Sequence, residues 1–346
     1  MTSTPILITG TGAMACLFAA RLAAAGSDIT MLGTWPEGLA ALREHGVRLA
    51  SPSGEDRRFR VRATDDPDEC GDAPFALVLV KSWQTKRAAG QLSRCLPPEG
   101  VALTLQNGLG NREALVCALG EGRVGLGTAT AGATLLGPGR VRPGGEGEIH
   151  VEDHPRLQAL ADLLSIAGFS VSKAGDVESL VWGKLAINAA INPLTALLRV
   201  PNGELLERPE ARELMRAVAL ETAGIASAKG IRLPFDDPAG AGESVARRTA
   251  GNTSSMLQDV LRGAPTEVDA ICGGIVAAAH ELGLEAPVNE TLWRLIKAMV
   301  SSSPSPTTPA LPALSKVEGR PPLRVGIADP PLLPTLGEGG EDGGGR

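Results

Sequence analysis

The stretch that most restricts this chain lies near its start. An apolar run, 6–8, leads through Thr9 into Gly10-Thr11-Gly12-Ala13-Met14-Ala15, and an alanine-rich segment follows. A strand, a glycine turn and a helix in that order make the G-x-G-x-x-A arrangement. The first glycine permits the tight turn, the second lets the backbone approach a pyrophosphate, and a small third residue lets helix and strand pack closely. The helix N-terminus then offers unbonded N–H groups to phosphate. Gly10, Thr11, Gly12, Ala13, Met14 and Ala15 are therefore the expected dinucleotide-binding residues. A glycine turn that only packs a strand on a helix reads the same way locally.

The next 160 residues support the first reading. Short apolar runs at 6–8, 29–32, 75–80, 101–105 and 124–126 alternate with Ala/Leu-rich segments such as 17–25 and 112–119. Strands alternating with helices predict a parallel sheet covered on both faces, a doubly wound Rossmann-type α/β fold. Over 131–151 Gly and Pro recur, as in antiparallel hairpins. From about 176 the periodicity becomes helical, with segments expected at 178–199, 211–229, 254–261, 266–282 and 289–300. Pro265 after Gly263-Ala264 suggests one helix stopping and the next starting there. The predicted organisation is a dinucleotide-binding domain over 1–175, an all-helical domain over 176–300, and a disordered Pro/Gly-rich tail over 301–346.

Composition removes several function classes. The chain has no tyrosine, so a dehydrogenase that uses Tyr as its acid is excluded. Its four histidines stand in no catalytic context, which disfavours a His-centred hydroxyacid dehydrogenase. The net charge is −6 without a basic block, so no nucleic-acid partner is expected. No run of about 20 apolar residues predicts a membrane span, and no leader is read at the N-terminus. Five scattered cysteines, none in Cys-x-x-Cys, suit reduced thiols in a cytoplasm and predict no metal site.

Ligands of such sheets bind beyond the carboxyl ends of the strands, and the residues there are polar. Lys81 follows 75–80, Gln106-Asn107-Gly108 follows 101–105, and Gly127-Thr128 follows 124–126. Lys81 can meet a cofactor phosphate or a substrate carboxylate, or can be a surface lysine. Asn107 can sit near a nicotinamide, or can serve the turn before Gly108. The second strand ends at Leu32-Gly33-Thr34 without the acid that reads the 2′-hydroxyl of NAD. NADP is the expected cofactor, with Thr34 at the ribose and NAD an open alternative. No Arg stands at that tip, and Arg43 is the nearest candidate.

In the helical half, Lys184, Asn188 and Asn192 recur every four residues in an otherwise apolar segment, so they share one helix face. A polar line on a buried helix must meet something polar, either a substrate cleft or a structural network. A lysine desolvated there has a lowered pKa suited to proton transfer. A second cluster runs Ser254-Ser255-Met256-Leu257-Gln258-Asp259, then Thr266-Glu267-Val268-Asp269. Glu267 can be a first-turn acid that meets the helix dipole, or a functional carboxylate.

At these residues the chain resembles the ketopantoate reductase family. The carriers are Gly10–Ala15, Lys81-Ser-Trp-Gln84, Gln106-Asn-Gly-Leu-Gly110, Trp182-x-Lys-Leu-Ala-x-Asn188, Asn192-Pro-Leu-Thr195, and Ser254–Asp259 with Thr266-Glu267-x-Asp269. The glycine motif is common to many folds; the two helical-half strings are far more specific. The resemblance implies NADPH-dependent reduction of ketopantoate to (R)-pantoate, on the route to pantothenate and coenzyme A. It implies Lys184 as the acid and Glu267 as the residue orienting substrate and lysine. It places Asn107 by the nicotinamide and reacting carbonyl, Lys81 on the cofactor side, and Asn188, Asn192 and Ser254 on the substrate. It further implies a hinge at 174–176. Where the family carries a basic residue after the second strand, this chain has Thr34.

A monomer or homodimer is expected. Two other readings remain at this level: a related reductase of another 2-keto or 3-keto acid, and a non-catalytic NADP-binding sensor, which would have no need of Lys184, Asn188 and Glu267 together.

Overall fold

The computed structural model describes residues 4–51, 55–145 and 147–301. Past its first residue, the tail expected over 301–346 lies outside the described residues. The chain begins β1 (Pro5–Thr9), α1 (Ala13–Ala24), β2 (Asp28–Leu32), α2 (Pro36–His45), β3 (Val47–Ala50), β4 (Asp56–Phe59), β5 (Arg62–Thr64). It continues β6 (Phe75–Val78), α3 (Thr85–Cys95), β7 (Val101–Thr104), α4 (Asn111–Leu119), β8 (Val124–Ala129). Then come β9 (Gly132–Gly137), β10 (Arg140–Gly145), β11 (Glu148–Glu152), α5 (Gln158–Ile166) and β12 (Ser170–Ala174).

The main sheet has eight strands in the order β12-β11-β8-β7-β6-β1-β2-β5. From β8 to β5 every pairing is parallel, and only β11 runs antiparallel to its neighbour β8. The five strand runs read from the sequence fall on β1, β2, β6, β7 and β8. The 131–151 segment does form a hairpin, β9–β10, with Gly139 at φ +65° in its turn. That hairpin belongs to a second sheet, β4-β3-β10-β9. The second sheet depends on β3 and β4, short strands without a strong apolar run, and the sequence reading did not include them. Helix α1 touches this sheet on one side and the main sheet on the other. Its Ala15, Cys16, Leu17, Phe18, Ala19, Ala20 and Leu22 are accordingly all buried, and small residues allow both sheets to approach.

The second half is helical: α6 (Val177–Leu198), α7 (Pro209–Ala228), α8 (Pro238–Arg248), α9 (Ser255–Leu261), α10 (Cys272–Glu281) and α11 (Pro287–Ser301). Asp176 caps α6, its carboxylate accepting the Ser179 N–H at 2.9 Å. Gly183 lets Pro234 approach where a Cβ would stand 2.6 Å from the proline ring. Arg199 ends the helix at φ +55°. The apolar cores of the two halves are separate, the change falling between Phe169 and Trp182. Each fully buried Leu or Ile in them contributes about 1.5–3 kcal/mol.

One helix expectation fails. The segment 266–271 is a series of turns, and α10 begins only at Cys272. Pro265 therefore does not open a helix, and Glu267 is not a first-turn helix acid. Its carbonyl instead accepts from Ala270 and Ile271 at 3.1 and 3.0 Å, closing a turn. The physical reason is tertiary: the turn presents its carbonyls and the Glu267 side chain to the loops after β6 and β7.

Candidate functional site

The glycine loop has the open backbone geometry that a phosphate cradle requires. Gly10 stands at φ +118°, a region L side chains avoid, and a Cβ there would lie 3.1 Å from the Leu79 carbonyl. Its N–H donates to Leu32 O at 2.7 Å, fixing the loop to β2. Gly12 precedes α1, and a Cβ on it would meet nothing within 4 Å. Space is therefore open above the loop. No side chain caps α1 and no acid stands in its first turn, so its N–H groups are available to an anion. Thr11 is buried against Gly33, Ala15 is wholly buried, and Ala13 and Met14 are half-buried. The residues present fit a dinucleotide pyrophosphate.

At the tip of β2, Thr34 is exposed, as the ribose reading requires. Arg43 is engaged elsewhere: it donates to Ala63 O at 2.8 Å and to Asp65 at 2.9 Å. Both partners of that ion pair are more than half exposed, and such pairs are worth at most about 1 kcal/mol. Arg43 is therefore held only weakly where it stands. Glu37, exposed in the first turn of α2, is an acid near the same tip that the sequence reading did not weigh.

The rim residues converge on the helical half. Lys81 donates to Asp259 at 2.6 Å and lies 3.6 Å from Glu267. Glu267 is buried, and it accepts from the Ser82 N–H at 3.0 Å and from Asn107 Nδ2 at 3.2 Å. Leu109 N donates to Ala270 O at 2.8 Å, beside Gly108 at φ +83°, where a Cβ would stand 2.5 Å from that carbonyl. Gln106 braces the rim from behind, donating to Val80 O and to Thr85 Oγ1 at 2.8 Å each. Burial pulls the Lys81 ammonium down, but the charges of Glu267 and Asp259 outweigh it and hold its pKa above the ordinary value. Burial pushes the Asp259 carboxyl up, and Lys81 opposes that only in part. Asp259 was legible as an acid inside an apolar string, yet its pairing with Lys81 spans 178 residues and had no local signal.

Lys184 stands on the first half of α6 and donates to the Ala129 carbonyl at 2.7 Å, at the end of β8. Burial lowers its pKa to about 8, although the charge of Glu267 works the other way. Asn188 and Asn192 follow on the same helix face. Among the described residues neither carboxamide has a side-chain hydrogen bond, and Asn192 is buried. Two such amides beside a lysine are groups prepared for a polar ligand. Ser254 is placed differently from a free substrate contact. Its hydroxyl caps α9, accepting the Leu257 N–H at 3.1 Å, and shares a 2.7 Å hydrogen bond with Thr195. Ser255, the next residue, is exposed.

A cavity of about 280 Å³ lies behind this loop, between Gly108–Glu113, Glu178, Val181, Trp182 and Ala277–Ala278. Lys81, Lys184, Asn188, Asn192 and Glu267 do not line it. Among the described residues, no helix is long and apolar enough to cross a membrane.

The chain is similar to known proteins over most of its length. Residues 6–156 match the family profile described as ketopantoate reductase PanE/ApbA, and residues 176–300 match its C-terminal counterpart. A 2-dehydropantoate 2-reductase of Halobacterium salinarum is 34% identical over 297 residues, covering 84% of this chain and 97% of that protein. One from Archaeoglobus fulgidus is 35% identical over 303 residues, covering 86% and 98%. Among solved structures, a PanE/ApbA family ketopantoate reductase from Ralstonia eutropha JMP134 superposes with a TM-score of 0.80. It is 32% identical and covers 86% of this chain and 98% of its own.

Proposed function

Because the chain belongs to the ketopantoate reductase PanE/ApbA family, we propose that it is a 2-dehydropantoate 2-reductase, reducing the 2-keto group of ketopantoate to (R)-pantoate with NADPH. The observation that carries this reading is Lys184: a lysine with a pKa of about 8, on one helix face with two unengaged asparagine amides. A sensor that only binds a dinucleotide has no use for that arrangement.

The loop Gly10–Ala15 and the N-terminus of α1 hold the pyrophosphate, Thr34 faces the adenosine ribose, and Lys81 and Asn107 border the nicotinamide side. When bound, the reduced nicotinamide supplies the hydride. The chain's own residues do the rest. Lys184, charged below pH 8, places its ammonium where negative charge develops on the keto oxygen, stabilises it and delivers the proton from Nζ. Such positioned acid catalysis contributes roughly 10²–10⁴ in rate. Asn188 and Asn192 donate to the substrate's carboxylate and hydroxyl, while Ser254, engaged with Leu257 and Thr195, braces the wall behind them. Glu267 holds Asn107 and the 81–82 backbone in register with Lys184. The seam between the two halves keeps water away from the reacting carbon.

The choice of NADPH over NADH rests on the missing acid at Thr34 and the weakly held Arg43, with Glu37 in the first turn of α2 as the acid that NADH would use instead. We place the enzyme in the cytoplasm as a monomer or homodimer, which sedimentation of the purified chain distinguishes. The deciding experiment is an initial-rate assay with ketopantoate, ketoisovalerate and acetolactate, each with NADPH and with NADH. Highest kcat/KM on ketopantoate with NADPH is expected; a better rate on either other keto acid defeats the named reaction, and a better rate with NADH defeats the cofactor choice.

A further inference from the structure

Asn107 is gripped at both ends. Its side-chain amide donates to Glu267 at 3.2 Å, across the seam. Its backbone carbonyl accepts from Asn111 Nδ2 at 3.0 Å, on its own side of the seam. Asn111 is buried and opens α4, directly after Gly110. Its Nδ2 also reaches the Gly108 carbonyl at 3.4 Å, so both amide hydrogens have an acceptor.

Behind Asn111 the bonding runs on without a break. Gln106 Nε2 donates to Val80 O and to Thr85 Oγ1, which uses both of its hydrogens. Gln106 Oε1 accepts from Thr104 Oγ1 at 3.0 Å. Thr85 is the buried first residue of α3. It accepts from Gln106, and its single hydroxyl proton goes to Asn111 Oδ1 at 2.8 Å. That bond fixes the Asn111 amide: Oδ1 faces Thr85, so Nδ2 faces the carbonyls of 107 and 108. The donors therefore run one way, from Gln106 to Thr85 to Asn111 to Asn107. Reversing either amide would leave buried donors and acceptors unsatisfied, so the chain is held in one arrangement.

The loop needs such a brace. Gly108 and Gly110 stand at φ +83° and +84°. Glycine lets the loop take this shape but does not hold it there; the two Asn111 bonds do. Asn107 Oδ1, by contrast, has no hydrogen bond among the described residues. The network fixes the residue and leaves that acceptor free.

We propose that Asn111 is a positioning residue for the reduction: it sets Asn107 against the nicotinamide and the reacting carbonyl, and Thr85 sets Asn111. This rests on the placement of Asn107 given above. Asn111 touches neither ligand and acts only through Asn107. Misplacing a group at the reacting centre by about 1 Å can cost roughly 10²-fold in rate.

The test measures kcat on the keto acid that wild type reduces fastest, the Tm, and the primary isotope effect with nicotinamide deuterated at the transferred position. Asn111→Leu keeps the side-chain volume and removes the amide. It is expected to lower kcat roughly 10- to 10²-fold and to raise the isotope effect. Thr85→Val is expected to give a smaller loss in the same direction, and Thr85→Ser, which keeps the hydroxyl, to recover the wild-type rate. In an Asn107→Ala background, Asn111→Leu should lower kcat no further, because its effect passes through the residue already removed. Should Asn111→Leu fail to fold, Thr85→Val in the same two backgrounds carries the test. Wild-type kcat in Asn107→Ala defeats the underlying placement of Asn107. A slow Asn107→Ala beside wild-type kcat in Asn111→Leu and Thr85→Val, or losses that multiply in the double variant, overturns the positioning role alone.

Discussion

Lys184 donates to the Ala129 carbonyl at 2.7 Å, tying the helix that carries the proposed acid to the last residue of β8. The contact keeps the ammonium at the carboxyl edge of the main sheet, within the field of Glu267. It also replaces one water hydrogen bond that the half-buried lysine has lost. The desolvation that remains is what brings its pKa to about 8.

Lys184→Met is expected to lower kcat for ketopantoate reduction by roughly 10²–10⁴ and to leave dinucleotide affinity within about twofold, since the cofactor loop is untouched. Steady-state kinetics and fluorescence titration check both. A variant with wild-type turnover removes Lys184 from the acid's role.

The same variant is expected to be more stable. A lysine with a folded pKa of about 8 against an ordinary 10.5 is charged in the fold at a cost of roughly 3 kcal/mol at pH 7. Losing the Ala129 bond offsets part of this, leaving a gain of about 1–2 kcal/mol. The penalty is full below pH 8 and fades as pH rises toward 10.5, because the folded chain releases its proton first. The stability gap between wild type and Lys184→Met, read by urea unfolding, should narrow over that window.

The rate of reduction should fall as pH rises through about 8, where Lys184 loses the proton it delivers. Oxidation of pantoate, which needs the neutral amine, should rise over the same range. A rate of reduction flat from pH 7 to 9.5 would contradict a lysine acid with this pKa.

Asn188→Ala and Asn192→Ala should each raise KM for ketopantoate about tenfold or more, the loss of one to two hydrogen bonds to a charged group, without changing KM for NADPH. Because neither amide is bonded within the described protein, the Tm should stay within a few degrees of wild type. A large stability loss would instead assign these amides to a structural network.

Gly108→Ala tests the seam. The added Cβ meets φ +83° and the Ala270 carbonyl at 2.5 Å, a combination expected to cost roughly 2–4 kcal/mol. Displacing this loop also moves Asn107 away from Glu267, so kcat should fall together with Tm. Gly110→Ala, also at positive φ but with open space around it, should lose less of both.

Much of the site was legible because its signals are local. The glycine loop announces itself through backbone conformations that only glycine adopts cheaply, and the Lys184-Asn188-Asn192 line follows from helical periodicity alone. Strand runs were readable because parallel strands buried on both faces are continuously apolar. What escaped was held by distant partners. The short strands β3 and β4 exist through the β9–β10 hairpin and α1, and the helix expected from 266 gives way to turns that reach across to Asn107, Leu109 and Ser82.

The sequence by itself determined the alternation of the five central strands with helices, the glycine loop and the helix face that carries Lys184, since neighbours along the chain dictate each of these. Only the tertiary structure decided that Lys81 would be paired with Asp259 and that Glu267 would accept from Ser82 and Asn107. Those outcomes depend on which surfaces are desolvated together, and burial sets both the strength of an ion pair and the proton affinity of a lysine. Lys184 shows the division: its position is written in the periodicity of α6, and its pKa of about 8 comes from the walls that folding puts around it.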